Sequence, residues 1–165
     1  MQSFKALRIP MHVRHGLPPL PVVTVRLSMP GSDRSVEVVA FIDTGCISGA
    51  MVSTDIARKL GVDLARCKQM RMQSATGTAS DPVFPLDVVI GQEAFAKRRL
   101  DCFARKNMRK QFGFDAVLGL HAFVGGAFIY HEAAKTCAIL MPATAAISDG
   151  DVDAVLGALT SKLGC

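Results

Sequence analysis

The chain has 165 residues, 50% of them hydrophobic and 20% charged, with a formal net charge of +5. That size fits one domain, and the apolar share supports a buried core, which excludes a disordered polyelectrolyte. The longest apolar stretch, residues 116–130, is broken by His121 and three glycines, so no segment offers the ~20 uninterrupted apolar residues of a spanning helix.

The 14 glycines and 8 prolines punctuate the chain densely, and aromatics are scarce, with nine Phe, one Tyr and no Trp. Such punctuation favours many short strands over long helices. The five cysteines are odd in number, scattered and without a CxxC pair, so neither a zinc site nor a disulfide framework is expected. The four histidines have no ligand spacing, and no metal or cofactor is expected. No signal peptide is visible at the start, where charges and proline interrupt every apolar run. The expectation is a soluble, cytoplasmic protein with reduced thiols and no membrane association.

In chain order, residues 1–18 read as an extended, proline-containing arm. LPVVTVRLSM (20–29) has the β-branched, partly alternating pattern of a strand, PGSDRS supplies a turn, and SVEVVAFID (35–43) answers as a second strand. STDIARKLGV (53–62) predicts a short helix, capped by Ser53 or Thr54 and stopped at Gly61. Residues 67–84 read as a strand, a small-residue tip SATGTAS and a return strand; 84–91 and 98–105 read as two further strands. FDAVLGLHAFV (114–124) predicts a strand, a turn at Gly119 and a short helix, and 127–132 with 135–141 a final hairpin. The tail at 148–164 repeats Val152, Val155, Leu156, Leu159 and Leu163 at three- and four-residue steps, which predicts an amphipathic helix. The expected domain thus spans 19–142, with the arm before it and a helical tail at 143–165.

Positive charge concentrates at 97–110, KRRLDCFARKNMRK, with seven basic residues and one acid. A stripe of this kind fits a nucleic acid, an acidic substrate or a solvated strand edge. With few aromatics interleaved to stack on bases, nucleic acid is not the expected partner.

One residue stands apart. AFIDTGCISGAMVS places a single carboxylate, Asp43, at the end of a strand that is otherwise entering the interior, followed by a glycine turn. Aspartate in such a place can close the turn by accepting backbone N–H groups, or it can do chemistry. Asp43-Thr44-Gly45, preceded by Phe41-Ile42 and followed by a helix, a small-residue hairpin and then Val117-Leu118-Gly119, resembles the retropepsin-like aspartic proteases, over roughly residues 20–141. The resemblance implies an all-β fold, a closed barrel with one or two short helices besides the C-terminal one. It implies Asp43, Thr44 and Gly45 as the catalytic triplet, and a substrate-binding flap tipped by Thr76, Gly77 and Thr78. It also implies a polypeptide substrate and a homodimer. Two close carboxylates cannot both ionise, so they share a proton, one serving as base and the other as acid. Only one Asp-Thr-Gly is present, so the second carboxylate is expected from a second copy. After the triplet the family usually carries Ala and a hydroxyl or acidic residue, whereas this chain has Cys46-Ile47. That loss of a donor keeps a second expectation open, a retropepsin-fold binding or dimerisation module of weak or no activity; Ser48 offers a replacement hydroxyl.

Overall fold

The computed structural model describes residues 4–12, 19–46, 48–74, 77–91, 95–131 and 136–142. In chain order its strands begin with β1 (Phe4–Ile9), β2 (Met11–His12), β3 (Leu20–Ser28), β4 (Ser35–Ile42) and β5 (Ala50–Ser53), which leads into helix α1 (Thr54–Lys59). Then follow β6 (Lys68–Ser74), β7 (Gly77–Ile90), β8 (Ala96–Arg105), helix α2 (Met108–Phe112), β9 (Ala116–Leu118), a 3-10 turn (Leu120–Phe123), β10 (Ala127–His131) and β11 (Thr136–Pro142). The helix expected at 148–164 lies outside the described residues.

Contacts divide the chain into two units: residues up to Ile9 together with those from Phe123 onward, and Pro10–Ala122. The smaller unit is a three-stranded sheet in the order β1-β11-β10. Part of the expected arm is therefore a strand, running antiparallel to β11 with Phe4 opposite Pro142 and Ile9 opposite Cys137. Ile9, Cys137, Ile139, Leu140 and Met141 are buried in it.

The larger unit carries the order β2-β3-β4-β9-β5-β8-β7-β6, and β3 also pairs with β7. Its ladders thus run β3-β4-β9-β5-β8-β7 and return to β3. Alternation explains the inward face: Val23, Val25 and Leu27 of β3 are buried, as are Leu86, Val88 and Ile90 of β7, each burial removing apolar area from water at ~25 cal/mol per Å². β5 is buried along its whole length. Its neighbours β8 and β9 take one edge each, which is how Ala50, Met51, Val52 and Ser53 hold a central place.

Ser53 caps α1, its Oγ accepting from Ile56 N at 3.3 Å, and Gly61 takes the left-handed φ of +84° expected after the helix. β7 is one 14-residue strand, although Pro82 and Pro85 make it read as two pieces. It pairs with β6 from Gly77 to Val83, with β8 from Val83 to Ile90, and with β3 from Asp87 to Ile90. The change from β6 to β8 therefore falls beside Pro82, which lacks an N–H, whereas Pro85 stays paired with β8 opposite Asp101. Helix α2 lies within and just beyond the basic stretch; its Met108 is fully buried in a cluster with Met51, Phe103 and Val117.

Candidate active site

Two loops of the larger unit meet at Asp43. The first follows β4, whose last residues Phe41 and Ile42 lie parallel to Val117 and Leu118 of β9. The second follows β9. Asp43 N donates to Leu118 O at 3.0 Å, Leu120 N donates to Cys46 O at 2.8 Å, and Gly119 N donates to Gly49 O at 3.1 Å. Three backbone bonds thus tie residues 43–49 to 118–120. Because β9 also runs antiparallel to β5, with Leu118 opposite Ala50, it sits between the strand that enters the Asp43 loop and the strand that leaves it.

This crossing dictates glycine at 119. A Cβ there would overlap the carbonyl oxygens of Ser48 and Cys46, and both belong to backbone that cannot swing aside. The apolar-apolar-Gly triplet Val117-Leu118-Gly119 lies at this crossing. Gly45 is tight for a different reason: a Cβ would come to 3.2 Å of Asp43 Oδ1.

Asp43 is half-buried, and Thr44 and Gly45 are exposed. Cys46 N donates to Asp43 O at 3.1 Å, closing a turn, and Gly45 N donates to Asp43 Oδ1 at 2.9 Å. Among the described residues this is the carboxylate's one hydrogen bond. It fixes the orientation of the head group and leaves Oδ2 for another partner. The turn-closing role and a chemical role are therefore compatible at this residue.

The residues after the triplet behave differently from the sequence expectation. Ile47 lies outside the described residues. Ser48 is buried, and its Oγ lies 2.8 Å from Cys46 Sγ; its described partner is thus the thiol and not the carboxylate. Cys46 is itself half-buried and packs against the Met51, Phe103, Met108 and Val117 cluster. Sequence spacing offered no signal for this thiol–hydroxyl contact, since Ser48 read as a donor to the carboxylate.

The expected flap is a hairpin of β6 and β7, with Ser74 opposite Gly77 and Gln73 opposite Thr78. Thr76 lies outside the described residues. Gly77 has φ of +123°, a conformation open to glycine, and both Gly77 and Thr78 are exposed. They line a cleft of about 580 Å³ between β7 and the end of β8, and Asp43 is not among its lining residues. At the root of the hairpin Arg105 Nε and Nη2 donate to Asp81 Oδ2 at 2.9 and 2.7 Å, in an ion pair whose side chains are 12% and 9% exposed. No signal in the sequence links these two residues, since their contact depends on strand register. Among the described residues no group of three or more His, Cys, Asp or Glu side chains is placed to hold a metal ion.

Comparison with solved structures shows what this geometry resembles. A retropepsin-like aspartic protease from Rickettsia conorii overlays with a TM-score of 0.52 at 18% identity, covering 81% of this chain and 98% of that one. The EIAV protease in complex with the inhibitor HBY-793 overlays with a TM-score of 0.38 at 16% identity, covering 65% of this chain and 88% of that one. No protein-family model and no curated protein sequence matches the chain. The Rickettsia overlay shows that the chain has a retropepsin-like fold, all-β in class.

Proposed function

We propose that the protein is an aspartic endopeptidase that works as a homodimer, with Asp43 of each protomer contributing one carboxylate to a shared-proton pair. The observation that carries this is the crossing of the Asp43 loop and the Gly119 loop. It holds a half-buried carboxylate with one oxygen bonded to Gly45 N and the other available. In such a pair the ionised carboxylate takes a proton from water, which attacks the peptide carbonyl carbon. The protonated carboxylate donates to the carbonyl oxygen, and the tetrahedral intermediate then expels the amine with a proton returned from the pair. The chain would bring Thr44 and Gly45 to the same loop and the hairpin of β6 and β7 to the substrate.

Asp43→Asn tests this directly. The substitution keeps the Gly45 N–H bond through the amide oxygen but cannot ionise, so cleavage of an unstructured polypeptide should fall by at least about 10³-fold, with the melting temperature held. Undiminished cleavage would refute the assignment. The second reading, a binding or dimerisation module, is favoured by one observation: the Ser48 hydroxyl is engaged by Cys46 and does not brace the carboxylate. A dimer that forms normally yet cleaves nothing with Asp43 intact would select it.

A further inference from the structure

A cleft of about 510 Å³ lies between α1 and α2, and Asp43 is not among its lining residues. The buried Ser53, Ile56 and Met108 form part of the lining. Met108 is packed into the cluster with Met51, Phe103 and Val117, so the α2 wall is held by the core. A left-handed turn at Asn107, with φ of +59°, carries the chain from β8 into α2. Lys106 and Lys110, on either side of that turn, line the same cleft as Lys59 at the end of α1.

The charges of this cleft do not balance. Arg58, Lys59, Lys106, Arg109 and Lys110 line it against two acids, Asp55 and Asp115. Both acids are engaged by arginines, Asp55 by Arg58 at 3.0 Å and Asp115 by Arg109 at 3.3 Å. Lys59, Lys106 and Lys110 are exposed and make no ion pair among the described residues. The Asn107 side chain makes no capping hydrogen bond at the start of α2, so its amide is a further donor. None of the three lysines ties one element to another through an ion pair. Their grouping therefore costs self-repulsion, concentrated by the low-dielectric walls of a concave site, and a multivalent anion would remove that cost.

The lining also selects the kind of anion. No aromatic side chain is present to stack a nucleic-acid base. The available donors are compact ammonium groups, each with three N–H bonds, and lysine binds phosphate as a point charge. The volume suits a small ligand rather than a polymer. A short chain of linked phosphates places several negative charges within that volume.

We infer that the cleft between α1 and α2 binds an oligophosphate, a short phosphoanhydride chain held by Lys59, Lys106 and Lys110 with the Asn107 amide as a further donor. The chain is either free or the phosphate tail of a nucleotide. The inference concerns binding and holds whether or not Asp43 is catalytic.

The test titrates sodium tripolyphosphate into the full chain by isothermal calorimetry at low salt. Saturable binding is expected, weakening as salt rises, with a raised melting temperature because the ligand stabilises the native state. Orthophosphate and citrate should each bind at least about tenfold more weakly, the first for want of charge and the second for want of phosphate. ATP equal to tripolyphosphate would support the free chain as the ligand, and tighter ATP would support the nucleotide. Lys59→Gln with Lys110→Gln should weaken tripolyphosphate at least about tenfold. Lys68→Gln, at an exposed lysine of β6 outside the cleft, should leave binding unchanged. The orthophosphate and citrate comparisons decide alone if the double variant fails to fold. Absence of saturation at about 10 mM tripolyphosphate would overturn the inference, as would equal binding of citrate or indifference to the double substitution. Tighter binding of an oligothymidylate of equal charge would overturn it too, and assign the cleft to nucleic acid.

Discussion

At the scale of single residues, Gly119 is the most constrained position in the candidate site. Any side chain there must push apart the carbonyls of Cys46 and Ser48, and the first of these accepts the Leu120 N–H that helps hold the Asp43 loop. Gly119→Ala should therefore cost about 3 kcal/mol or more, at the upper end of overpacking penalties, read as a lowered urea midpoint at unchanged slope. Gly125→Ala makes a useful control. A Cβ there meets nothing within 4 Å although its φ is +78°, so its penalty is backbone strain alone, about 1 kcal/mol. Asp43 and Gly119 were both legible in the sequence, because a turn at a strand end and a backbone crossing each demand a residue type. The Cys46–Ser48 contact and the Asp81–Arg105 pair were not. Each depends on where two side chains point after the backbone is in place, and residue identity carries no record of that.

Among the elements, β7 shows why strand boundaries resist reading. Two prolines look like stops, yet a proline is tolerated wherever its missing N–H faces no partner, and β7 passes from β6 to β8 beside Pro82 and continues along β8 through Pro85. Helix α2 escaped notice because its five residues, MRKQF, are too few for the Met108–Phe112 spacing to stand out as a pattern; buried Met108 anchors it through tertiary packing. The cross-strand pair Asp87–Arg99 ties β7 to β8, with Arg99 Nε donating to Asp87 Oδ1 at 2.7 Å and Nη2 to Oδ2 at 3.1 Å. The Arg99 hydrogen bonds hold the Asp87 carboxyl below its ordinary range, opposed by its partial burial and aided by the nearby Arg99 and Lys97 charges. A carboxyl whose pKa is depressed on folding contributes stability above its unfolded value, about 3.9, and loses it as pH falls through the lower native value. Asp87→Asn should accordingly destabilise at neutral pH. The difference from the parent protein should shrink as pH falls below about 4, in paired thermal melts across that range. A difference that stays constant into acid would show that the pair contributes through packing and not through ionisation.

For the whole molecule, the main consequence of the proposed chemistry is assembly. One Asp-Thr-Gly per chain supplies one carboxylate, and a shared-proton pair needs two, so a two-fold axis through the Asp43 loops is the simplest way to complete the site. Specific activity should then fall on dilution, following the dimer fraction measured by sedimentation across the same concentrations; constant specific activity from a monomer would exclude the shared pair. The order of strands and turns was largely readable from alternation and glycine spacing. The division into two units was not, because the strand at 4–9 owes its place to β11 at the far end of the chain. The crossing at Asp43 also has a temporal side. The Asp43 N–H is held by the carbonyl of Leu118 and the Cys46 carbonyl by the Leu120 N–H, so during synthesis these bonds across the loops cannot form until the ribosome has released the chain past residue 120. Closing a loop of that length must precede any gain from the contacts it makes. On the proposed chemistry, cleavage by Asp43 therefore waits until residue 120 has emerged from the ribosome.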